Sequence, residues 1–525
     1  MTARMTAFAQ DEELPADPRA EAVRRIVIVG GGSAGWMAAA MLSTALSRDT
    51  EIRLVESDAI ATVGVGEATI PPMQKFNRFL QVDEAEFVAA TQGTFKLGIE
   101  FVGWAREGDA YLHQFGAVGR EMDALVKLHH WWLAGRLQRG EDYPQWQQMH
   151  MAWHLARANR FAPSGVDKDA LPNRYTHAYH FDAHLYARYL RRLAEGRGVH
   201  RIEGKVVHVD RAGESGFVSS VKLEDGRRLA GDLFIDCSGF RSLLLGDALA
   251  EPWTDWSRWI PSDRALAVPS ARTDGPLRPY TQAIAHPVGW QWRIPLQHRT
   301  GNGHVFASAF STEAEAERWL LATLEGEALG EPRLIKFATG RRERAWVGNV
   351  LALGLAAGFL EPLESTSIHF VQSALERLLD LFPSRAMDAA LRDRFNTRTV
   401  LEWEQVRDFL IAHYHLSGRE DSEFWRYTAN MELPGSLAAV LEAWRVRGHL
   451  AVDGGHLFQT GSWASMLIGQ RYLPRGVHAL ADRAEPAFAA QQVRRIARDC
   501  ADAAARLPEH AEFIARNCAA QVSAD

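Results

Sequence analysis

The chain has 525 residues, 47% of them hydrophobic and 24% charged, with a formal net charge of −6. Such a length accommodates one large cofactor domain plus a smaller appended region around a sizeable core. The acidic balance and the lack of any basic run argue against nucleic acid as a partner. The longest apolar stretch, Val350 to Leu360, is too short to span a bilayer, so no membrane partner is expected. Residues 1–23 are rich in Ala, Asp, Glu and Arg and have no apolar centre, which reads as a disordered leader rather than a signal peptide.

Arg25 to Val29 is a β-branched run stopped by three glycines, followed by helical composition from Ser33 to about Ser47 and a second strand, Ile52 to Val55, ending in Glu56. This is strand, glycine turn, helix, strand, with Gly30-x-Gly32-x-x-Gly35 in the turn and an acid about twenty residues on. Glycines let the backbone approach a pyrophosphate, the helix N-terminus favours its charge, and Glu56 can accept from a ribose hydroxyl. Val206 to Val209 and Val218 to Leu223 read as a hairpin, and Leu233 to Asp236 as another buried strand, followed by Cys237-Ser238-Gly239. Asn349 to Gly358 repeats the pattern of a strand delivering small residues. No second glycine fingerprint follows a strand, so the chain is expected to hold one dinucleotide and no domain for NAD(P)H.

Gly289-Trp290-Gln291-Trp292-Arg293-Ile294-Pro295 places two indoles on one face of a strand, where they make a bulky aromatic wall. Standing alone, it would be a strand with two core aromatics. After about Pro383 the texture becomes helical: Trp403, Val406, Leu410 and His413 recur at helical spacing, as do Val493, Ile496 and Cys500 after Pro486. Cys237, Cys500 and Cys518 lack metal-type spacing and fit free, buried thiols in a reducing cytoplasm, with no metal expected.

Five ordered motifs carry a family resemblance. They are Gly30 to Trp36, Gly64-Val65-Gly66-Glu67-Ala68-Thr69-Ile70-Pro71, Phe95-Lys96, the Trp-x-Trp-x-Ile-Pro run, and Phe359-Leu360-Glu361-Pro362-Leu363-Glu364-Ser365-Thr366. From Arg25 to about Tyr427 the chain resembles the flavin-dependent tryptophan halogenases. The resemblance implies an α/β fold: an FAD-binding Rossmann-like domain of the flavin monooxygenase type over 24–385, including a substrate-side sheet. A mainly helical C-terminal region over 386–525 packs on it. FAD would be contacted by Gly30, Gly32, Ser33, Ala34 and Gly35 at the turn, and by Glu56, Ser57, Ile60, Val63, Val65 and Ala68 after the second strand. Val206, Asp236, Leu355 and Ile368 would complete the site.

In that family reduced FAD reacts with oxygen, a halide attacks the product to form hypohalous acid, and a lysine directs the halogen onto an aromatic carbon. The matching lysine is Lys96, and Glu364 matches the active-site glutamate that orients the oxidant or takes the ring proton. The halide would be held by backbone N–H groups at Thr366 and Ser367, the second of which is usually glycine. His113 and Phe115 fall where the family lines the aromatic ring, and Trp290 and Trp292 form the tunnel wall. Arg447 to Pro474 looks shortened, with Gly461-Ser462-Trp463-Ala464-Ser465 where residues gripping the amino acid would stand. The expected reaction is halogenation of an indole or related small aromatic, with free tryptophan a poor substrate and bromide favoured over chloride. Reduced FAD would come by diffusion from a separate flavin reductase. The competing readings are an FAD-dependent aromatic hydroxylase and a catalytically inactive flavin-binding protein.

Overall fold

The structure is a computed structural model that describes residues 21–59, 66–121, 125–167, 169–452, 454–483 and 486–520. Most of the proposed leader, and Ile60, Val63 and Val65, lie outside the described residues.

The glycine fingerprint sits at the centre of a six-stranded sheet. Its order is Trp346–Val347, Val350–Ala352, Leu233–Asp236, Arg25–Val29, Glu51–Glu56, His200–Glu203. The last five run parallel and the first pairs antiparallel. Ile26, Val27 and Ile28 are fully buried, as a central parallel strand covered on both faces requires. The helices Ser33–Ala45, Ala183–Gly196 and Ser367–Asp380 share that core. The chain leaves the first strand through Gly30 at φ 110°, where a Cβ would lie 2.2 Å from the Cys237 carbonyl oxygen. Only glycine satisfies both the turn and the close approach. The hairpin Val206–Arg211 with Val218–Leu223 gains a third strand, Arg228–Ala230.

A seven-stranded sheet lies beside this unit, in the order Arg333–Lys336, Arg264–Ala271, Arg299–Phe306, Gly289–Pro295, Thr281–His286, Gly98–Val102, Ala110–Gln114. Every pairing is antiparallel except that of Thr281–His286 with Gly98–Val102. A small antiparallel sheet of Gly66–Ala68, Ala178–Asp182 and Thr94–Lys96 joins the two parts and sets Lys96 opposite Ala178.

Beyond residue 386 the helices are Ala389–His415, Glu423–Asn430, Gly435–Arg447, Thr460–Gly469, Pro486–Ala504 and His510–Asn517. Trp403, Val406, Leu410 and His413 are all buried. The three apolar ones share one core with Trp104, Trp290 and Trp292 of the seven-stranded sheet region. The long helix is therefore an integral wall of that core. All three cysteines are free and buried. Among the described residues no helix is long and apolar enough to cross a membrane.

Candidate active site

A cavity of about 640 Å³ opens where the parallel strands end, a size that suits a cofactor. Gly30, Gly32, Ser33 and Ala34 form one wall, Glu56, Ser57 and Val206 another, and Ala68, Leu355 and Ile368 line the far part. Gly32 precedes the Ser33–Ala45 helix without a side-chain cap, and a Cβ there would meet nothing within 4 Å. The orphan N–H groups of the first turn thus have room for an anion. The Glu56 carboxylate lies over Gly31, where a Cβ would fall 1.5 Å from Oε2, and Arg201 Nε donates to it at 2.6 Å. Lys205 and Arg241 line the same cavity and bring positive charge. Glycine cradle, carboxylate and basic pair fit FAD: the helix start would hold its pyrophosphate and Glu56 its ribose, while Trp292, Ile294 and Trp403 line the same cavity.

Three expected contributors stand behind the cavity wall. Gly35 is a packing glycine, since a Cβ there would sit 1.8 Å from the Gly30 carbonyl oxygen. Asp236 is fully buried, and its oxygens accept from Ser238 N and Oγ and from Leu244 and Leu245 N, so it holds the turn that shapes the cavity. Trp292 lines the cavity, but Trp290 does not. The Trp290 indole is 6.3 Å from that of Trp292, and its Nε1 donates at 3.1 Å to buried Glu361, which also accepts from the Tyr414 hydroxyl. Burial pushes the Glu361 carboxyl up to about 7, against the hydrogen bonds it receives. Trp290→Phe is therefore expected to cost about 1–3 kcal/mol of unfolding free energy by removing a donor to a buried acid, and Trp292→Phe less. Denaturant titration of the two variants checks this.

Lys96 is fully buried, and its Nζ donates at 2.8 Å to Ser365 Oγ. Ser365 lines the cavity, so one side chain separates the amine from the cofactor space. Phe115 lies beside the amine, ring centroid 5.3 Å away. Burial lowers Lys96 to about 7, although the charge of Glu364 opposes the shift. Glu364 is equally buried; burial alone would raise its carboxyl, but the histidines beside it bring it to about 2. His113 Nδ1 donates to its two oxygens at 2.8 and 2.9 Å, and His413 Nε2 lies 3.1 Å from Oε1. His113, expected only to line the ring site, is thus committed first to Glu364.

Ser365 adopts the left-handed conformation at φ 57°, ψ 37°, turning the chain into the Ser367–Asp380 helix. Thr366 stands at its N-terminus without a side-chain cap and with Oγ1 buried and unpartnered, while Ser367 lines the cavity. The helix start offers backbone donors for an anion next to Lys96 and Glu364.

The sequence reading missed Ser365 and His413 as site residues, and also Phe409 and Phe458. The last two stack at 4.0 Å and 19° and flank His113. The only available signals were Ser365 inside a motif and His413 in a helical repeat.

The dinucleotide-sized cavity is joined through one serine to a buried amine, with a buried carboxylate beside that serine in the chain, an arrangement that suits an FAD-dependent enzyme. The tryptophan halogenase family model matches residues 25–486, and the chain belongs to that family. It is 37% identical over 446 residues to the tryptophan 7-halogenase RebH of Lentzea aerocolonigenes, covering 81% of this chain and 82% of that one. Among solved structures, Xcc4156, a flavin-dependent halogenase from Xanthomonas campestris, superposes with a TM-score of 0.91 at 44% identity, covering 95% of this chain and 99% of its own. BrvH, a flavin-dependent halogenase from Brevundimonas sp. BAL3, gives 0.90 at 40% identity, covering 94% and 99%.

Proposed function

We propose that the protein halogenates an indole or related small aromatic through hypohalous acid captured at Lys96, with Glu364 taking the proton that leaves the ring. The observation that carries this reading is the Lys96 amine, sealed from solvent yet one serine from the cofactor cavity. FAD, when bound and reduced, supplies the oxidising equivalent from oxygen. The helix start at Thr366 and Ser367 holds the halide, and His113 and Phe115 contact the ring. An amine near neutrality in pKa is available to accept halogen, and the buried carboxylate is ionised to accept a proton.

The substrate is an aromatic without the zwitterionic end of tryptophan. Supporting this, Trp463 and Ser465 of the Thr460–Gly469 helix face inward, Ser465 accepting from Gln114 and Trp146, and Arg471 is paired with Asp109. These groups are committed within the protein rather than offered to an amino acid. Bromide is the preferred halide, since it is less strongly hydrated than chloride and more easily oxidised. A separate flavin reductase supplies reduced FAD, because the sequence offers only one dinucleotide fingerprint. The test is a mass-spectrometric screen of indoles, phenols and free tryptophan with a flavin reductase, run separately in chloride and in bromide. Brominated indole in excess over halogenated tryptophan is expected. Hydroxylated products alone would favour a monooxygenase, and no product despite FAD binding a catalytically inactive flavoprotein.

A further inference from the structure

Glu67 is an acid that neither the glycine fingerprint nor the proposed chemistry uses. It is the middle residue of the short strand Gly66–Ala68, all of which lines the cofactor cavity. Gly66 and Ala68 face the seven-stranded sheet: a Cβ at Gly66 would lie 3.5 Å from Ile294 and 3.6 Å from Leu296, and Ala68 shares their core. Side chains alternate along a strand, so Glu67 points the other way. Its partner across the ladder is Phe181, which belongs to the apolar core of the glycine-fingerprint sheet. Among the described residues no hydrogen bond or ion pair reaches the Glu67 carboxyl, and burial pushes it up to about 7. Glu67 keeps some exposure, and it lines the cavity, so a cofactor filling that space would complete its burial. A polar group so placed is costly unless something pairs with it.

The charged groups around this strand are engaged elsewhere. Glu56 pairs with Arg201, and Asp182, opposite Gly66, pairs with Arg299. His180, opposite Ala68, meets a threonine hydroxyl at each ring nitrogen, and burial keeps it neutral. Arg293 reaches Gln282 and Glu325, His304 the Val288 carbonyl, and Arg191 of the Ala183–Gly196 helix pairs with Glu195. The Cys237 thiol is pushed far up by burial and by Asp236. Lys205 and Arg241 add positive charge to the cavity. Lys96, two strands away in the same small sheet, also titrates near 7 but meets the cavity through Ser365.

We propose that Glu67 is a cofactor-binding residue that meets FAD as a neutral acid, donating its O–H to an acceptor oxygen of the cofactor. The inference rests on the reading of this cavity as the FAD site. FAD carries the negative charge of its pyrophosphate. A protonated carboxyl offers it a donor, whereas an ionised one adds a second, repelling negative charge. Bound FAD therefore favours the protonated form, and by linkage FAD is held more tightly at low pH and loses affinity as pH rises through about 7.

The test is a titration of the cofactor-free protein with oxidised FAD, followed by flavin fluorescence and needing no turnover. Wild-type Kd should rise about tenfold or more from about pH 6.5 to about pH 8.5. Glu67→Gln keeps a donor that does not titrate, so its Kd should stay near the wild-type value at low pH and be flat. Glu67→Leu, with no donor, should bind about tenfold more weakly at about pH 6.5 and also be flat. Infrared spectra of wild type minus Glu67→Gln should show a carboxylic-acid carbonyl band that persists to higher pH once FAD is bound. A flat wild-type Kd, a Glu67→Gln variant that keeps the wild-type slope as a response of Lys96 would, or a carboxyl ionised throughout would overturn the proposal. Wild type that binds no FAD at any pH would sink the cofactor reading along with it, whereas FAD bound with a flat profile sinks the role of Glu67 alone.

Discussion

Lys96→Ala is expected to lower halogenation by about 10³-fold or more while FAD still binds and reduced FAD still yields hydrogen peroxide. The glycine turn, Glu56 and the cavity walls do not depend on this side chain, whose polar contact is with Ser365. Product mass and peroxide release, followed together, read the two halves of the reaction separately. The pH dependence carries a second signature. Burial depresses Lys96 to about 7 against the pull of Glu364, so the neutral amine grows as pH rises through that value. About one molecule in ten holds the amine one unit below the midpoint and about nine in ten one unit above. If the amine itself takes up halogen, wild-type bromination should climb about tenfold per unit below the midpoint and level off above it. A rate that falls over that window would mean that the ammonium acts instead, as a hydrogen-bond donor to hypohalous acid.

Glu364→Gln should slow turnover by about 10²-fold, since the amide accepts no proton yet keeps nearly the same shape. Its effect on Lys96 has a definite sign. The carboxylate opposes the desolvation of the amine, so its removal shifts the amine midpoint to lower pH. The residual activity of the variant should therefore level off at lower pH than that of the wild type. An unchanged rate with an unchanged profile would reduce Glu364 to a structural anchor for His113 and His413.

The cofactor half of this site was legible because its chemistry is local. Gly30 to Gly35 and Glu56 lie within one strand–turn–helix–strand unit, and the turn itself dictates glycine. Spacing alone could not tell which glycine faces the cofactor and which only packs, and so Gly35 was placed at the site. Asp236 and Trp290 stand outside the cavity lining for a related reason. An acid ending a strand and an indole beside a second indole look like site residues until their partners are known, and those partners are Leu244, Leu245 and Glu361. The catalytic half depends on distant pairings. Thr94–Lys96 is set by the strand at Ala178–Asp182, and Glu364 meets histidines from Ala110–Gln114 and from the Ala389–His415 helix. His413 fits the helical repeat as well as any apolar residue would, so periodicity reads it as core. Only the carbonyl of Phe409 and the carboxylate of Glu364 distinguish it.

The most direct test of the central claim uses photoreduced FAD, oxygen, bromide and indole, with no reductase present, and compares wild type with Lys96→Ala at equal FAD occupancy. The account predicts the paired bromine isotope peaks of bromoindole from the wild type and their loss in the variant. Bromoindole formed by Lys96→Ala at the wild-type rate would contradict it.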